Sequence, residues 1–307
     1  MKKVYIDGSA GTTGLRIYGR LEARKDIMLL TLPDEVRKDP DKRREMINSA
    51  DIVFLCLPDD AAREAVSFCE NDKTVIIDTS TAHRTMPGWT YGFPEIHGLK
   101  EKIRSSKRIA NPGCHAGGFV SLIAPLTDSG ILDKDVCLTC FSLTGYSGGG
   151  KKMIASYEET PAGLEAPRTY GLSQEHKHLP EMKIICGLEH APVFSPVVSS
   201  YYAGMEVVVP LFGNQLNGSI DDVKEVYRSY YTGKFVRFCD GCDENGFLSA
   251  SAMSGRDDMQ LSVFGNGERL TLVSRFDNLG KGASGSAIQN MNIVMGINET
   301  EGLITGD

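Results

Sequence analysis

The sequence predicts an α/β protein of two domains, the first built on a parallel sheet and the second on a larger, mostly antiparallel one. Three observations carry this. Short apolar runs alternate with amphipathic stretches through the first third of the chain. A glycine-rich turn stands directly after the first apolar run. Beyond residue 136 the apolar runs lengthen, and two of them are joined by Gly265-Asn266-Gly267, a hairpin signal.

The elements follow in order. Val4-Tyr-Ile, Ile27–Leu32, Asp51–Leu57 and Thr74–Asp78 read as strands. Between them 15–25, 41–49 and 59–70 show helical spacing. Strands alternating with helices make βαβ units, and continuous apolar strands fit a sheet covered on both faces. Phe119–Leu126 continues helically from a Gly-Cys-His segment. Then come strand-like runs at 137–143, 203–212, 259–264 and 269–276, and a helix at 219–230 opened by Ser219 with Asp221 and Asp222. Residues 283–295 form a last helix. No repeat or low-complexity linker interrupts the 307 residues.

Composition excludes several function classes. The formal net charge is -7, which argues against nucleic acid as a bulk electrostatic partner. No apolar run approaches the roughly 20 residues of a membrane span. The Met1–Ile6 start is too short for a secretory apolar region, so the chain reads as cytoplasmic. Eight cysteines then read mostly as free thiols. Cys137/Cys140 and Cys239/Cys242 have CxxC spacing. The first pair lies on a strand, where residues three apart face opposite ways, so both are read as thiols and no metal is expected.

Gly8-Ser9-Ala-Gly11-Thr12-Thr13-Gly14 follows the first strand and opens the first helix. Glycines let the backbone approach a pyrophosphate, and the helix start supplies N–H groups and a favourable dipole. This is a variant of the Rossmann-type dinucleotide fingerprint. No acid ends the second strand to hold a ribose hydroxyl. Asp34-Glu35 come after Pro33, and Arg37 and Lys38 follow, which favours NADP over NAD.

Asn111-Pro-Gly-Cys114-His115 places a cysteine at a helix start, a position that lowers a thiol pKa and suits a nucleophile. Chemistry on a thioester then needs a proton partner. The histidines are His83, His97, His115, His176, His178 and His190. Three further segments read as ligand loops: Asp78–Arg84 with Ser80, Gly145–Lys152, and Asp277–Ala283 with Lys281. Arg84, Lys151 or Lys281 could clamp a phosphate or carboxylate.

Together these segments resemble the N-acetyl-gamma-glutamyl-phosphate reductases, in their shorter form, over essentially the whole chain. The resemblance rests on the Gly8–Gly14 loop, Asp78–Arg84 followed by Tyr91-Gly-Phe-Pro-Glu95, the Cys114 motif, Gly145–Lys152, Lys177-His178-Leu-Pro-Glu181, and Asp277-Asn-Leu-Gly-Lys281-Gly-Ala with Gln289, Asn290 and Asn292. It implies an NADP-binding domain at 1–112 with 283–307, and a catalytic and oligomerisation domain at 113–282. It implies a thioester on Cys114 formed from an acyl phosphate, with His178 as acid/base. Longer members carry Phe-Thr-Pro-His where this chain has Phe194-Ser-Pro-Val197, and His115 directly follows the nucleophile, so His115 stands as the second candidate. Cofactor contacts are expected at Gly8, Ser9, Gly11, Thr12, Thr13, Gly14, Arg37, Pro58, Ser80 and Asn278. Substrate contacts are expected at Arg84, Asn111, Tyr146, Ser147 and Lys281. A homodimer or homotetramer, with no nucleic-acid or membrane partner, completes the expectation.

Overall fold

The computed structural model describes every residue except His97, Thr160, Pro161 and Asp307. His97, one of the six histidines, therefore lies outside the described residues. The chain divides into two compact units, Met1–Gly113 with Ala283–Leu303, and Cys114–Gly282 with Ile304–Asp307.

The first unit runs β1 (Lys2–Asp7), α1 (Thr12–Leu21), β2 (Ile27–Leu30), α2 (Pro40–Ser49), β3 (Ile52–Leu55), α3 (Asp59–Ser67), β4 (Val75–Asp78), β5 (Thr90–Tyr91), α4 (Leu99–Ser105) and β6 (Arg108–Ala110). The six strands form one sheet in the order β2-β1-β3-β4-β6-β5. Every neighbouring pair is parallel. All four residues of β3 and of β4 are buried, as helices on both faces require. Side chains alternate between two cores. Val4, Ile6, Phe54 and Ile77 join Ile17, Ile288 and Met291 on one face. Tyr5, Val53, Leu55 and Ile76 join Ile47, Ala62 and Ala65 on the other.

The second unit contains α5 (Cys114–Asp128), β7 (Thr139–Gly145), α6 (Gly150–Glu159), β8 (Arg168–Thr169), α7 (Leu179–Ile185), β9 (Val193–Ser199), β10 (Met205–Phe212), α8 (Ile220–Tyr230), β11 (Val236–Phe238), β12 (Met259–Gly265) and β13 (Arg269–Phe276). The last helix, α9 (Gly285–Met295), returns to the first unit. The seven strands are ordered β11-β12-β13-β10-β7-β9-β8. The sheet is mixed. Antiparallel pairing holds for β8·β9, β7·β10, β10·β13 and β12·β13. β7·β9 and β11·β12 are parallel, because a helix-bearing crossover precedes β9 and a long loop precedes β12.

α5 is buried along its length from His115 to Thr127. A side chain at Gly118 would collide with Val207 of β10, so glycine is what lets the helix lie close on the sheet. α8 begins with a capping box, in which the Asp222 N–H donates to Ser219 Oγ and the Ser219 N–H to Asp222 Oδ2.

Local expectations change at three points. Gly145–Lys152 is not a plain glycine turn. A short 3₁₀ turn over Tyr146–Gly149 leads into α6, and Lys151 and Lys152 lie on that helix. The polar stretch around His178 opens α7, with Pro180 in its first turn, where a missing N–H costs nothing. Cys239 and Cys242 are drawn together side by side, with their Cα atoms 5.7 Å apart. Cys137 is exposed and lies ahead of β7, not on it, whereas Cys140 is buried on that strand. Among the described residues, no group of three or more His, Cys, Asp or Glu is placed to hold a metal ion, and no helix is long and apolar enough to cross a membrane.

Candidate active site

The first unit carries a cleft of about 480 Å³ lined by Asp7–Gly11, Leu30–Leu32, Arg37, Lys38, Arg43 and Cys56–Pro58. Gly8 turns the chain out of β1 at a φ of 87°. Gly11 then caps α1 without a side chain, leaving the first N–H groups of the helix for a ligand. Thr12 Oγ1 is buried and has no hydrogen-bond partner among the described residues. A buried hydroxyl of this kind is ordinarily satisfied. An open helix start, glycines that keep side chains away and an orphaned hydroxyl together fit a dinucleotide pyrophosphate. Ser9 lines the same cleft, and Thr13 and Gly14 lie in the first turn of α1. Pro58 stands at the start of α3 on its wall.

Two cations, Arg37 and Lys38, are exposed beside the end of β2, and Arg37 is paired with Asp34 at 3.4 Å. Arg43, which carried no signal in the sequence, is buried on α2. It bridges Asp7 at 3.0 Å and Glu64 at 2.8 Å. Burial raises the Asp7 carboxyl above its usual range, and Arg43 opposes that rise.

The β4 loop is organised around Asp78, which is fully buried. Its carboxylate accepts from the Ser80 N–H at 2.9 Å, the Ser80 hydroxyl at 2.7 Å and His83 Nδ1 at 2.6 Å. His83 stacks on Trp89 with ring centroids 4.1 Å apart. Arg84 Nε donates to the Asn111 carbonyl at 2.9 Å and its Nη2 to the Thr79 carbonyl at 3.2 Å. Asn111 uses its carboxamide within the fold. Its Nδ2 donates to the Ala283 carbonyl at 3.0 Å, and its Oδ1 accepts from Asn290 at 3.2 Å.

In the second unit Cys114 is the first residue of the 15-residue helix α5. A helix N-terminus stabilises a thiolate. It is half-buried, as Cys56 is, whereas Cys140 and Cys186 are enclosed. Burial pushes the Cys56 thiol up to about 12 and raises the thiols of Cys140 and Cys186 as well. Gly282 lies against Cys114, since a β-carbon there would come 3.1 Å from its Cβ. Lys281, next to it, is buried over the Phe235 ring at 5.1 Å.

The structure gathers three histidines here. His115 and His178 have ring centroids 5.7 Å apart, and His176 lies 4.8 Å from His178 and 5.8 Å from His115. His178 is buried at the start of α7, and its N–H donates to His176 Nδ1 at 3.2 Å. His115 Nδ1 is 2.7 Å from Ser142 Oγ, and its Nε2 is 2.6 Å from the Tyr170 hydroxyl. Burial, and then the nearby His176, lower the His115 pKa to about 3. Tyr170 escaped the sequence reading because it sits in a polar stretch without periodicity. His176 was visible only as one histidine of six. His190 is exposed.

Other expected residues also make contacts within the fold. Asn278, expected at the cofactor, belongs to the second unit and ties its loops together. Its Oδ1 accepts from the Gly204 N–H at 2.9 Å, and its Nδ2 donates to Ser147 Oγ at 3.0 Å. Tyr146 stacks on Tyr157 at 4.7 Å, and its hydroxyl donates to Glu158 at 3.3 Å.

Known proteins resemble this arrangement along the whole chain. Residues 3–106 match the family described as semialdehyde dehydrogenase, NAD binding domain, and 114–278 match semialdehyde dehydrogenase, dimerisation domain. N-acetyl-gamma-glutamyl-phosphate reductase 2 of Nostoc sp. is 43% identical over 325 residues, covering 98% of this chain and 99% of the relative. N-acetyl-gamma-glutamyl-phosphate reductase of Sinorhizobium medicae is 44% identical over 305 residues, covering 95% and 98%. Among solved structures, aspartate semialdehyde dehydrogenase II of Vibrio cholerae superposes with a TM-score of 0.73 at 15% identity, covering 96% of this chain and 98% of that one. The Candida albicans aspartate semialdehyde dehydrogenase with NADP gives 0.69 at 15%, covering 96% and 99%. At that identity the likeness is one of fold.

Proposed function

The chain belongs to the N-acetyl-gamma-glutamyl-phosphate reductase family, and on that premise we propose that it reduces N-acetyl-gamma-glutamyl phosphate to N-acetylglutamate semialdehyde in arginine biosynthesis, with Cys114 carrying the acyl group as a thioester. The observation that carries the residue-level reading is Cys114 at the first position of α5, with His178 in the cluster that includes its neighbour His115.

The Cys114 thiolate attacks the acyl carbon, a C–S bond forms, and the C–O bond to phosphate breaks, releasing inorganic phosphate. NADPH, when bound, supplies a hydride to the thioester carbon. His178 supplies the proton that balances collapse to aldehyde and sulfur. Per turnover, one acyl phosphate, one NADPH and one proton give one aldehyde, one NADP⁺ and one phosphate. Gly8–Gly14 hold the pyrophosphate through backbone N–H groups, and Arg37 with Lys38 meets the 2′-phosphate. Arg84 takes the substrate's anionic end, its guanidinium aimed by the carbonyls of Asn111 and Thr79.

The active species is a homodimer formed on the face of the large sheet that carries Phe141, Val208, Pro210 and Phe212. Phe141 is 42% exposed and Phe212 62%, and Phe141 lies opposite Val208 in register. An apolar face of this kind calls for a partner, and a second copy supplies one by two-fold symmetry. The enzyme works in the cytoplasm, where a nucleophilic thiol stays reduced.

The test is phosphate-dependent oxidation of a panel of semialdehydes by the purified protein. N-acetylglutamate semialdehyde should be turned over best. Equal or better turnover of aspartate semialdehyde would overturn the assignment.

A further inference from the structure

A line of three side chains leads from the interior of the large sheet toward the nucleophile, and the reaction as written does not use it. Ser142 on β7 is fully buried. Its hydroxyl lies 2.7 Å from His115 Nδ1, and the other ring nitrogen lies 2.6 Å from the Tyr170 hydroxyl. His115 is itself 2% exposed and follows Cys114 in the chain.

Burial keeps His115 neutral at physiological pH, so it has one N–H and one lone pair to distribute. Two tautomers satisfy the distances. With the proton on Nδ1, the ring donates to Ser142 Oγ, and Tyr170 must spend its hydrogen on Nε2. The Ser142 hydrogen then has no acceptor among the described residues. With the proton on Nε2, Ser142 donates to Nδ1, the ring donates to the Tyr170 oxygen, and Tyr170 keeps a hydrogen to give away. Buried donors are satisfied in folded proteins, so the second arrangement is the one this site selects. Burial, and then the nearby Cys114 sulfur, hold the Tyr170 phenol above its ordinary pKa, so it remains a donor.

We propose that Tyr170 donates a hydrogen bond to the oxyanion that develops on the Cys114-bound carbonyl, and that Ser142 and His115 position it by fixing His115 in the Nε2–H form. The proposal rests on the thioester reading above. It makes Tyr170 a catalytic residue and His115 and Ser142 positioning residues, and it leaves the proton transfer to His178. An oxyanion needs donors fixed in place before the charge forms. Here a serine locked inside a sheet fixes the donor at two removes.

The tautomer can be read without substrate. In ¹⁵N-histidine-labelled protein, with the His115 signals assigned by their loss in His115→Gln, Nδ1 should show the shift of an unprotonated ring nitrogen and Nε2 that of an N–H between pH 5 and 8. The reverse pattern would overturn the relay, whatever the enzyme's substrate. In kinetics, Tyr170→Phe should lower kcat by about 10²–10³-fold with KM little changed, as loss of an oxyanion donor does. A wild-type kcat in Tyr170→Phe overturns the catalytic role. Ser142→Ala should lower kcat and let the Nδ1–H form appear in the same spectrum; an unchanged spectrum would remove Ser142 from the relay. Failure of the semialdehyde panel in the wild type would tell against the reductase assignment, and the tautomer measurement stands apart from it.

Discussion

Gly8 is packed against Cys56 so closely that a β-carbon on the glycine would collide with the Cys56 carbonyl oxygen, and its φ of 87° lies where side chains are strained. The collision is with backbone, so no rotamer relieves it. Gly8→Ala should cost about 1–3 kcal/mol of stability from the backbone conformation alone, and more from the clash. Thermal unfolding and an NADPH titration check this. An alanine variant with unchanged melting temperature and cofactor affinity would contradict the account of the loop.

Cys114 differs from Cys140 and Cys186 in exposure, and from them and Cys56 in its place at a helix start, whereas burial raises the Cys56 thiol to about 12. Iodoacetamide should modify Cys114 before Cys56, Cys140 or Cys186, as peptide mapping would show. Cys114→Ser should abolish reduction while NADPH binding persists. Unchanged turnover in that variant would refute the thioester mechanism.

Arg37 and Lys38 are exposed cations on the cofactor cleft. Hydrogen bonds to charged groups contribute about 1.5–3 kcal/mol, so removing both side chains should weaken NADPH binding roughly ten- to hundredfold. NADH binding should change little. Equal losses for the two cofactors would assign the 2′-phosphate contact elsewhere.

His115 has a folded-state pKa of about 3 against an ordinary 6.5. The unfolded chain therefore takes up a proton first as pH falls, and stability is lost below pH 6.5, by at most about 1.4 kcal/mol per pH unit from this group. Above 6.5 the group has no effect. His115→Gln should show a shallower loss of unfolding free energy between pH 6.5 and 4 in urea titrations. Parallel slopes would contradict the burial argument.

Phe141 stands out on the open face of the large sheet. Phe141→Glu should shift the protein from dimer toward monomer in sedimentation, because charge is poorly tolerated in the apolar centre of an interface. A variant that stays dimeric would move the interface off this face.

The parallel sheet was legible because buried strands and amphipathic helices announce themselves by period. Ile52–Leu55 and Val75–Asp78 are buried throughout, and the alternation of Val4, Tyr5 and Ile6 between two cores follows from the two-residue repeat of a strand. The mixed second sheet was less legible. Strand runs carry no mark of which neighbour they pair with, and the parallel join of β7 to β9 is a tertiary choice. Asn278 shows the same limit at a single residue. Its motif carries no sign that its carboxamide ties Gly204 to Ser147.

The sequence by itself singled out Cys114 as the candidate nucleophile and the glycine loop as the candidate cofactor cradle, since both readings depend on backbone near a helix start and on residues adjacent in the chain. Only the tertiary structure decided what surrounds the sulfur. Tyr170, His176 and His178 lie more than fifty residues from Cys114 in the chain and come to its neighbour His115 through folding. Whether a buried histidine carries its proton on one nitrogen or the other depends on a serine in a strand, Ser142, and no local pattern encodes that contact.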